Sequence, residues 1–299
     1  MIYGQPITFG GGSGNELVVI APTGSTVTAT KGGVTKTTNG ENGTWTFKGL
    51  EAGTWEITAT KDGKVATKTV TFVDEQSVEL STFYKPNFAD NDWATIIKLC
   101  QSGNVPDTWV AGNSKPMTIN GKSYQIDIIG KNHDTYTAGG IAPLTFQLHD
   151  CYATTYKMNN AAGNTTGYDG SEMHTTHLPA ILNSMPSEVQ AAIKPVNKKT
   201  GMGNNSTSGV ETVSCKLFLL AEIEVVGYAY FSVAGEGSQY DYYKAGNSSI
   251  KALNGMLHPW WSRSPRTPSQ VDFCYFPDSG GSNGASAGYA SGVSFAFCF

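Results

Sequence analysis

The sequence predicts a β-rich α+β protein, with a small N-terminal β-sandwich followed by a larger α+β domain. Three observations predict it. The chain has 299 residues, 39% hydrophobic and 15% charged: more than one domain usually holds, and the balance of a globular chain rather than a disordered one. Its 35 glycines call for many turns, and frequent turns go with short strands. Between residues 15 and 83, short Thr- and Val-rich runs alternate apolar and polar with period two, which turns one face of each strand toward a core.

The first domain is expected over 15–83. Its strands are Glu16–Ile20, Thr26–Thr30, Val34–Thr38, Thr44–Phe47, Trp55–Thr60, Lys64–Phe72 and Ser77–Leu80. Turns fall at Pro22-Thr23-Gly24, at Gly32-Gly33, over Asn39–Gly43 and at Asp62-Gly63, the last a hairpin signal. Trp45 and Phe47 share one face of their strand, opposite two threonines. Residues 84–91 read as a linker that Pro86 interrupts.

A helix then opens the second domain, 92–299. Asp90, Asn91 or Asp92 can cap it; Trp93, Ile96, Ile97 and Cys100 make one apolar stripe, and Gly103 stands past its end. Met117–Ile119 and Lys122–Ile129 form a hairpin through Asn120-Gly121, with Leu144–Leu148 as a third strand. Helical turns are expected over Ser171–His177, Pro179–Met185 and Pro186–Ile193, with Ser171 a candidate cap and Pro179 a candidate first helical residue. A polar loop follows over 197–209, a buried strand over Lys216–Leu220 and an aromatic helix over Ser238–Lys244. The chain ends with a fixed-looking block, Trp260–Pro265, a stretch with no period of its own, and an alternating strand, Gly292–Phe299.

Charge and composition narrow the function. A net charge of −4 and a pI near 5.7 lack the basic clusters that nucleic acid or an anionic membrane demands. No window is apolar for long enough to cross a bilayer. Residues 1–14 read as a flexible segment with neither the basic head nor the apolar core of a secretory signal, and the Gly10–Gly14 run lacks the strand, lysine and helix of a phosphate loop. Five cysteines at irregular spacings (Cys100, Cys151, Cys215, Cys274, Cys298) read as buried thiols of a chain that folds in a reducing cytoplasm.

Catalytic chemistry finds little footing. His174 and His177 stand three apart, as metal ligands can, but Thr175-Thr176 between them carries no carboxylate base. His133-Asp134 and His149-Asp150 suggest triads, yet neighbours in a strand point to opposite faces, so a neighbouring Asp is poorly placed to orient its own His. Glu222 and Glu224 would share a face if their strand continued and could do acid–base work on a glycan; the stronger reading is that Glu222 caps a helix that begins after the strand. No metal and no cofactor are expected.

From Asp92 onward the segments GKSYQIDIIGKNHD, TFQLHDC, YKMN, LPAIL, IKPVNKKT, KLFLLAEIEVVG, AGEGSQYDYY, PWWSRSP and GVSFAFCF occur in that order. Together they resemble a domain of uncharacterised function found in phage and prophage structural proteins of gut bacteria, and the first domain, with AGTWEITATKDG, resembles immunoglobulin-like and carboxypeptidase-regulatory-like sandwiches. The WWSRSP…GVSFAFCF ending is similar to the formylglycine-generating-enzyme branch of the C-type lectin fold, in which variable proteins of diversity-generating retroelements display a hypervariable surface just before the last strand. The resemblance implies a C-type-lectin-like α+β domain with Trp260, Trp261, Arg263, Ser264 and Gly292 to Phe299, including Phe295 and Phe297, as scaffold. The exposed, variable ligand-binding positions would be Arg266, Thr267, Ser269, Gln270, Asp272, Tyr275, Phe276, Asp278, Ser282, Asn283, Ser286, Tyr289 and Ser291. Tyr240, Tyr242 and Tyr243 either extend that patch or fill a core. Tyrosine supplies rigid contact area, while Ser, Asn and Gly adapt their hydrogen bonds.

The expectation is therefore a non-enzymatic receptor-binding or adhesion protein of a virion, or of a bacterial cell surface, that contacts a host protein or glycan. The N-terminal domain would join it to other virion proteins, and a homotrimer would follow by analogy with phage fibres. The alternative is a purely structural decoration or tail protein. A copper- or zinc-dependent enzyme comes third, with Cys274 and Cys298 as the copper pair that the enzyme branch would use.

Overall fold

The computed structural model describes residues 15–299; the 1–14 segment, with its expected flexibility, lies outside them. Two compact units divide the chain, one ending at Pro86 and the other running from Asn87 to Phe299. Strands outweigh helices, 39% to 14%, so the protein is β-rich.

In the first unit, alternation builds eight strands: β1 (Glu16–Ile20), β2 (Thr26–Lys31), β3 (Val34–Thr37), β4 (Gly40–Glu41), β5 (Thr44–Lys48), β6 (Gly53–Lys61), β7 (Lys64–Phe72) and β8 (Gln76–Glu79). They form two four-stranded sheets, in the orders β4-β5-β1-β8 and β3-β2-β6-β7. Both sheets feed one core: Leu17, Val19, Trp45 and Phe47 from the first meet Val27, Ile57 and Phe72 from the second. Burial of each such side chain contributes about 1.5–3 kcal/mol. Asp62 and Gly63 take positive φ (51° and 70°), the left-handed pair that a two-residue hairpin needs. The stretch 39–43, expected as a turn, contains β4. Gly40 pairs with Trp45, and a Cβ there would stand 2.2 Å from the indole, so the residue must be glycine for Trp45 to lie flat across it.

The second unit begins earlier than position 92. Phe88, placed by sequence in the linker, is buried, with its ring 5.2 Å from Trp109 and 6.2 Å from Phe146. Helix α1 (Trp93–Ser102) follows; the Asp92 carboxylate accepts from the Thr95 N–H at 2.7 Å, and Gly103 closes the helix at φ 69°. Next come β9 (Ser114–Ile119), β10 (Lys122–Lys131), β11 (Leu144–Leu148) and β12 (Tyr156–Lys157). A π-helical turn, Met173–His177, runs into α2 (Leu178–Leu182), then α3 (Ser187–Ala192). Strands β13 (Val196–Gly201) and β14 (Val210–Cys215) form a hairpin, replacing the first part of the expected polar loop: Val196, Lys198 and Thr200 point inward while Asn197 and Lys199 point out. Lys216–Leu220, expected as a strand, is irregular with one bridge from Phe218 to Ala296. Helix α4 (Glu222–Val226) starts immediately after, and the aromatic helix shrinks to α5 (Asp241–Lys244).

The C-terminal elements are β15 (Lys251–Leu253), β16 (Met256–His258), β17 (Trp260–Pro265), β18 (Asp272–Phe276), β19 (Asn283–Ser286), β20 (Ala290–Ser291) and β21 (Ala296–Cys298). The segment expected to be irregular thus carries β18 and β19, which pair with β17 in the order β17-β18-β19. The chain then returns to the sheet β21-β11-β10-β9, where Phe297 pairs with Phe146. Phe146, Phe297 and Phe299 lie within 5.4 Å of one another by ring centre. The last strand is short because Gly292–Phe295 are held by single bonds, such as Tyr152 N–H to Val293 and Leu148 N–H to Phe295, rather than by a ladder.

Candidate functional site

The C-terminal segment is built on β17, and all six of that strand's residues are buried. Adjacent tryptophans necessarily face opposite sides of a strand, so both faces are covered. A buried indole N–H needs an acceptor: Trp260 donates to the Ser249 carbonyl and Trp261 to the Tyr156 carbonyl, each at 2.8 Å.

Arg263 anchors the strand. Its guanidinium meets Glu224 in a two-pronged pair, Nη1 to Oε2 at 2.5 Å and Nη2 to Oε1 at 3.0 Å. The remaining N–H groups reach the carbonyls of Lys199, Leu219 and Glu236 at 3.0, 2.9 and 2.7 Å, so all five donors are used. Glu224 also holds Lys198 at 2.7 Å, and Lys198 reaches Asp134 at 2.6 Å and the Tyr240 hydroxyl at 3.0 Å. Burial alone would raise both carboxyls. The Lys198 charge nevertheless pulls Asp134 far below the ordinary carboxylate range, and Arg263 with Lys198 pulls Glu224 down. Glu236 has no such surplus of cations, and burial pushes it up. Two cations thus face two ionised carboxylates in a closed, satisfied network, the condition under which buried charge is tolerated.

Glu222 fastens the displayed segment to its neighbours. It is the first residue of α4 and fully buried. Its carboxylate accepts from the Tyr230, Phe231 and Ser232 N–H groups, from the Ser232 hydroxyl at 2.8 Å and from the Ser282 hydroxyl at 2.5 Å. Glu222 and Glu224 are therefore structural acceptors on a helix and not a strand-borne acid–base pair.

Most of the expected ligand-binding positions lie at or near the surface. Gln270, Asp278, Asn283 and Tyr289 are exposed, while Arg266, Thr267, Ser269, Asp272, Tyr275, Ser282 and Ser286 are partly so. Two are corrected. Phe276 is fully buried, its ring 4.2 Å from that of Trp260, and Ser291 is buried with its hydroxyl on the Pro259 carbonyl at 2.8 Å; both belong to the scaffold. The 266–272 loop is tied down from outside: the Asn164 side chain donates to the carbonyls of Ser269 and Asp272 at 3.0 and 2.6 Å, and the Asn205 N–H to that of Ser269 at 3.0 Å. Arg266 pairs with Asp272 at 3.0 Å and lies 5.4 Å over the Phe231 ring.

Tyr240, Tyr242 and Tyr243 are buried and fill the core, so they do not extend this surface. The loop that does is 228–232, joined to the segment through Glu222 and through the Thr267 N–H to Phe231 carbonyl bond of 2.7 Å. Tyr228 and Tyr230 on it are 58% and 72% exposed, and Tyr289 is 67% exposed. Sequence reasoning missed the two tyrosines; the run Tyr228-Ala229-Tyr230-Phe231 after a buried apolar stretch was their only signal.

Residues 145–299 match the family described as a domain of unknown function, DUF6273. The chain belongs to that family. The match opens at β11 and takes in β17, the displayed segment and the C-terminus. No curated protein matches the chain. Among solved structures, a DUF4876 family protein from Bacteroides thetaiotaomicron is similar at 11% identity, over 87% of this chain and 65% of its own, with a TM-score of 0.17. That likeness carries no argument about fold or function.

The remaining chemical candidates are placed as follows. His174 Nδ1 is 3.0 Å from the Asp169 carbonyl and Nε2 is 3.6 Å from the Cys215 thiol, while the ring of His177 packs 4.7 Å from that of Tyr156. Among the described residues no three His, Cys, Asp or Glu side chains gather as a metal site. Cys274 is buried in β18; Cys298 lies in β21, its sulfur 3.6 Å from the Thr145 hydroxyl and 4.0 Å from the Asp134 carboxylate. The two thiols are in different sheets, each raised well above its ordinary value by burial. His149 is oriented by Asp127 at 2.7 Å and not by its neighbour Asp150. His133 sits 3.7 Å from Asp134, beyond hydrogen-bond distance.

Proposed function

We propose that the protein is a non-catalytic recognition module whose 266–291 segment, with Tyr228 and Tyr230, contacts an external partner. The single observation that carries this reading is the division of the last forty residues: buried flanks at Trp260–Pro265 and Gly292–Phe299, and between them a segment rich in exposed polar and aromatic side chains. A surface that is anchored at both ends and supplied with Tyr, Ser, Asn and Gly suits adaptable non-covalent contacts. The resemblance of its segments to those of phage structural proteins supports a virion receptor-binding or adhesion role, with a host-surface protein or glycan as the partner and the N-terminal sandwich as spacer. The return of the C-terminal segment to the β9–β11 sheet supports a lectin-type arrangement of the domain, and the composition of the segment supports retroelement diversification.

The test replaces Gln270, Asp278, Asn283 and Tyr289 together with alanine and measures adsorption of labelled protein to a panel of gut-bacterial cells. Exposed substitutions cost about 0.5 kcal/mol or less each, so the fold should persist while adsorption falls. Unchanged adsorption to cells that bind the parent protein would sink the proposal. Diversification is checked separately, by a nearby template repeat differing from the 3′ end of the gene only at adenines.

A further inference from the structure

We infer that a second site, away from the 266–291 surface, binds a saccharide: the cleft between the β9–β10 hairpin, the end of β11 and the β15–β16 hairpin. Its volume is about 420 Å³, and none of its lining residues falls within 266–291. Clefts of about 300–1,000 Å³ are the usual size for small ligands.

The walls are polar, and several of their hydrogen-bonding groups remain open. Lys122 Nζ gives one N–H to Asn254 Oδ1 at 2.6 Å, which joins the two hairpins across the cleft; two more donors remain on it. The Asn254 amide nitrogen reaches the Ala153 carbonyl only at 3.5 Å. Asp150 accepts from the Ala252 N–H through Oδ1 at 2.8 Å, leaving Oδ2. Gln125 gives an N–H to the Ser114 hydroxyl at 2.7 Å, leaving its carbonyl. His149 is fixed through Nδ1 by the buried Asp127 carboxylate, leaving Nε2; a ring held through one nitrogen presents the other in a set direction. The Ser123 hydroxyl completes the lining, and Tyr124 and Ala252 add an apolar wall.

The charges narrow the ligand class. A cation (Lys122) and an anion (Asp150) line the same cleft, so an anionic ligand would meet Asp150 and a cationic one Lys122. Hydroxyl groups both donate and accept, and so suit every open position at once. A pyranose offers such hydroxyls around its edge and a C–H face for the apolar wall. A nucleophilic role fits less well: burial pushes the Cys151 thiol up to about 12, and the side chain is tucked against Gly292, where a Cβ would lie 2.5 Å from the sulfur.

The experiment is an NMR titration of the isotope-labelled full chain with glucose, galactose, mannose and N-acetylglucosamine, with acetate and phosphate alongside. At least one sugar should produce saturable shifts at the Gln125, His149 and Asn254 amides, and the anions should not. Asn254→Gly, which keeps the positive φ of 53° at the β15–β16 turn, and Gln125→Ala, both at exposed positions, should each weaken the sugar about tenfold by removing one charge-linked or direct hydrogen bond with the melting temperature little changed. The alanine replacements in 266–291 should leave the titration as it was, so that this site and the recognition surface stand or fall separately. No saturable shift with any of the sugars, or shifts with the anions alone, would overturn the proposal; so would loss of sugar binding in the 266–291 variant.

Discussion

Two arginines three residues apart make opposite use of the same chemistry. Arg263, at the heart of β17, is completely buried and spends all five donors on Glu224 and three carbonyls. Arg266, just past the end of that strand, pairs with Asp272 while keeping 37% of its side chain in solvent. The first pair welds the scaffold and the second trims a loop on the display. The sequence changes over from one regime to the other at Pro265, the last residue of β17.

The largest expected effect comes from breaking the welded pair. Arg263→Ala leaves Glu224 buried with Lys198 as its only cation, and removing one partner of a buried pair costs about 3–5 kcal/mol. Arg263→Lys does not rescue it, because an ammonium cannot fork across a carboxylate. Acid sharpens the test. Glu224 has a folded value below its ordinary one because Arg263 and Lys198 outweigh its burial. Its stabilising contribution is therefore complete above the ordinary carboxylate value and fades as pH falls through the folded one. In Arg263→Ala the main counter-charge is gone, so unfolding followed by circular dichroism should begin at higher pH than in the parent. An unchanged acid midpoint would mean that the network does not hold the strand.

How much of this contrast the sequence carries depends on how local its causes are. The strands of the first unit were legible because their alternation and their Asp62-Gly63 and Gly32-Gly33 turns are neighbours in sequence. So was α1, whose Asp92 cap, apolar stripe and terminal Gly103 lie within a dozen positions. The strand β13 was not, because Lys198 looks like a loop residue until Asp134, 64 positions away, is seen to neutralise it. Phe276 and Ser291 were misplaced for a related reason: 266–291 was read as one surface, but β18 is a strand, and a strand within a sheet has an inner face. The role of Glu222 depends on donors from loop 230–232 and from Ser282, which no spacing rule brings together.

A single substitution made in both regions gives the intermediate effect. At Gly292 a Cβ would stand 2.5 Å from the Cys151 sulfur and 2.9 Å from the Pro259 carbonyl; at Gly288, on the display, the nearest atom is 3.5 Å away. Gly292→Ala should therefore cost about 1–3 kcal/mol through overpacking, and Gly288→Ala almost nothing. Thermal melts of the two variants compare them directly. Equal losses would erase the boundary between scaffold and display.

A smaller effect than that of Arg263→Ala should come from Arg266→Ala, which is where the comparison is most exposed to failure. Its pair with Asp272 is partly solvated, so the ion pair contributes about 0.2–1 kcal/mol, and its position over Phe231 adds about 0.5–1 kcal/mol at an exposed site. The loop has other anchors in the Asn164 and Asn205 bonds, which the substitution leaves in place. Urea titration should thus show a midpoint shifted far less than in Arg263→Ala, while any partner that reads the charge between Tyr230 and the 266–272 loop should bind more weakly. A loss as large as that of Arg263→Ala would mean that Arg266 belongs to the weld, and that the display begins further along the chain than Pro265.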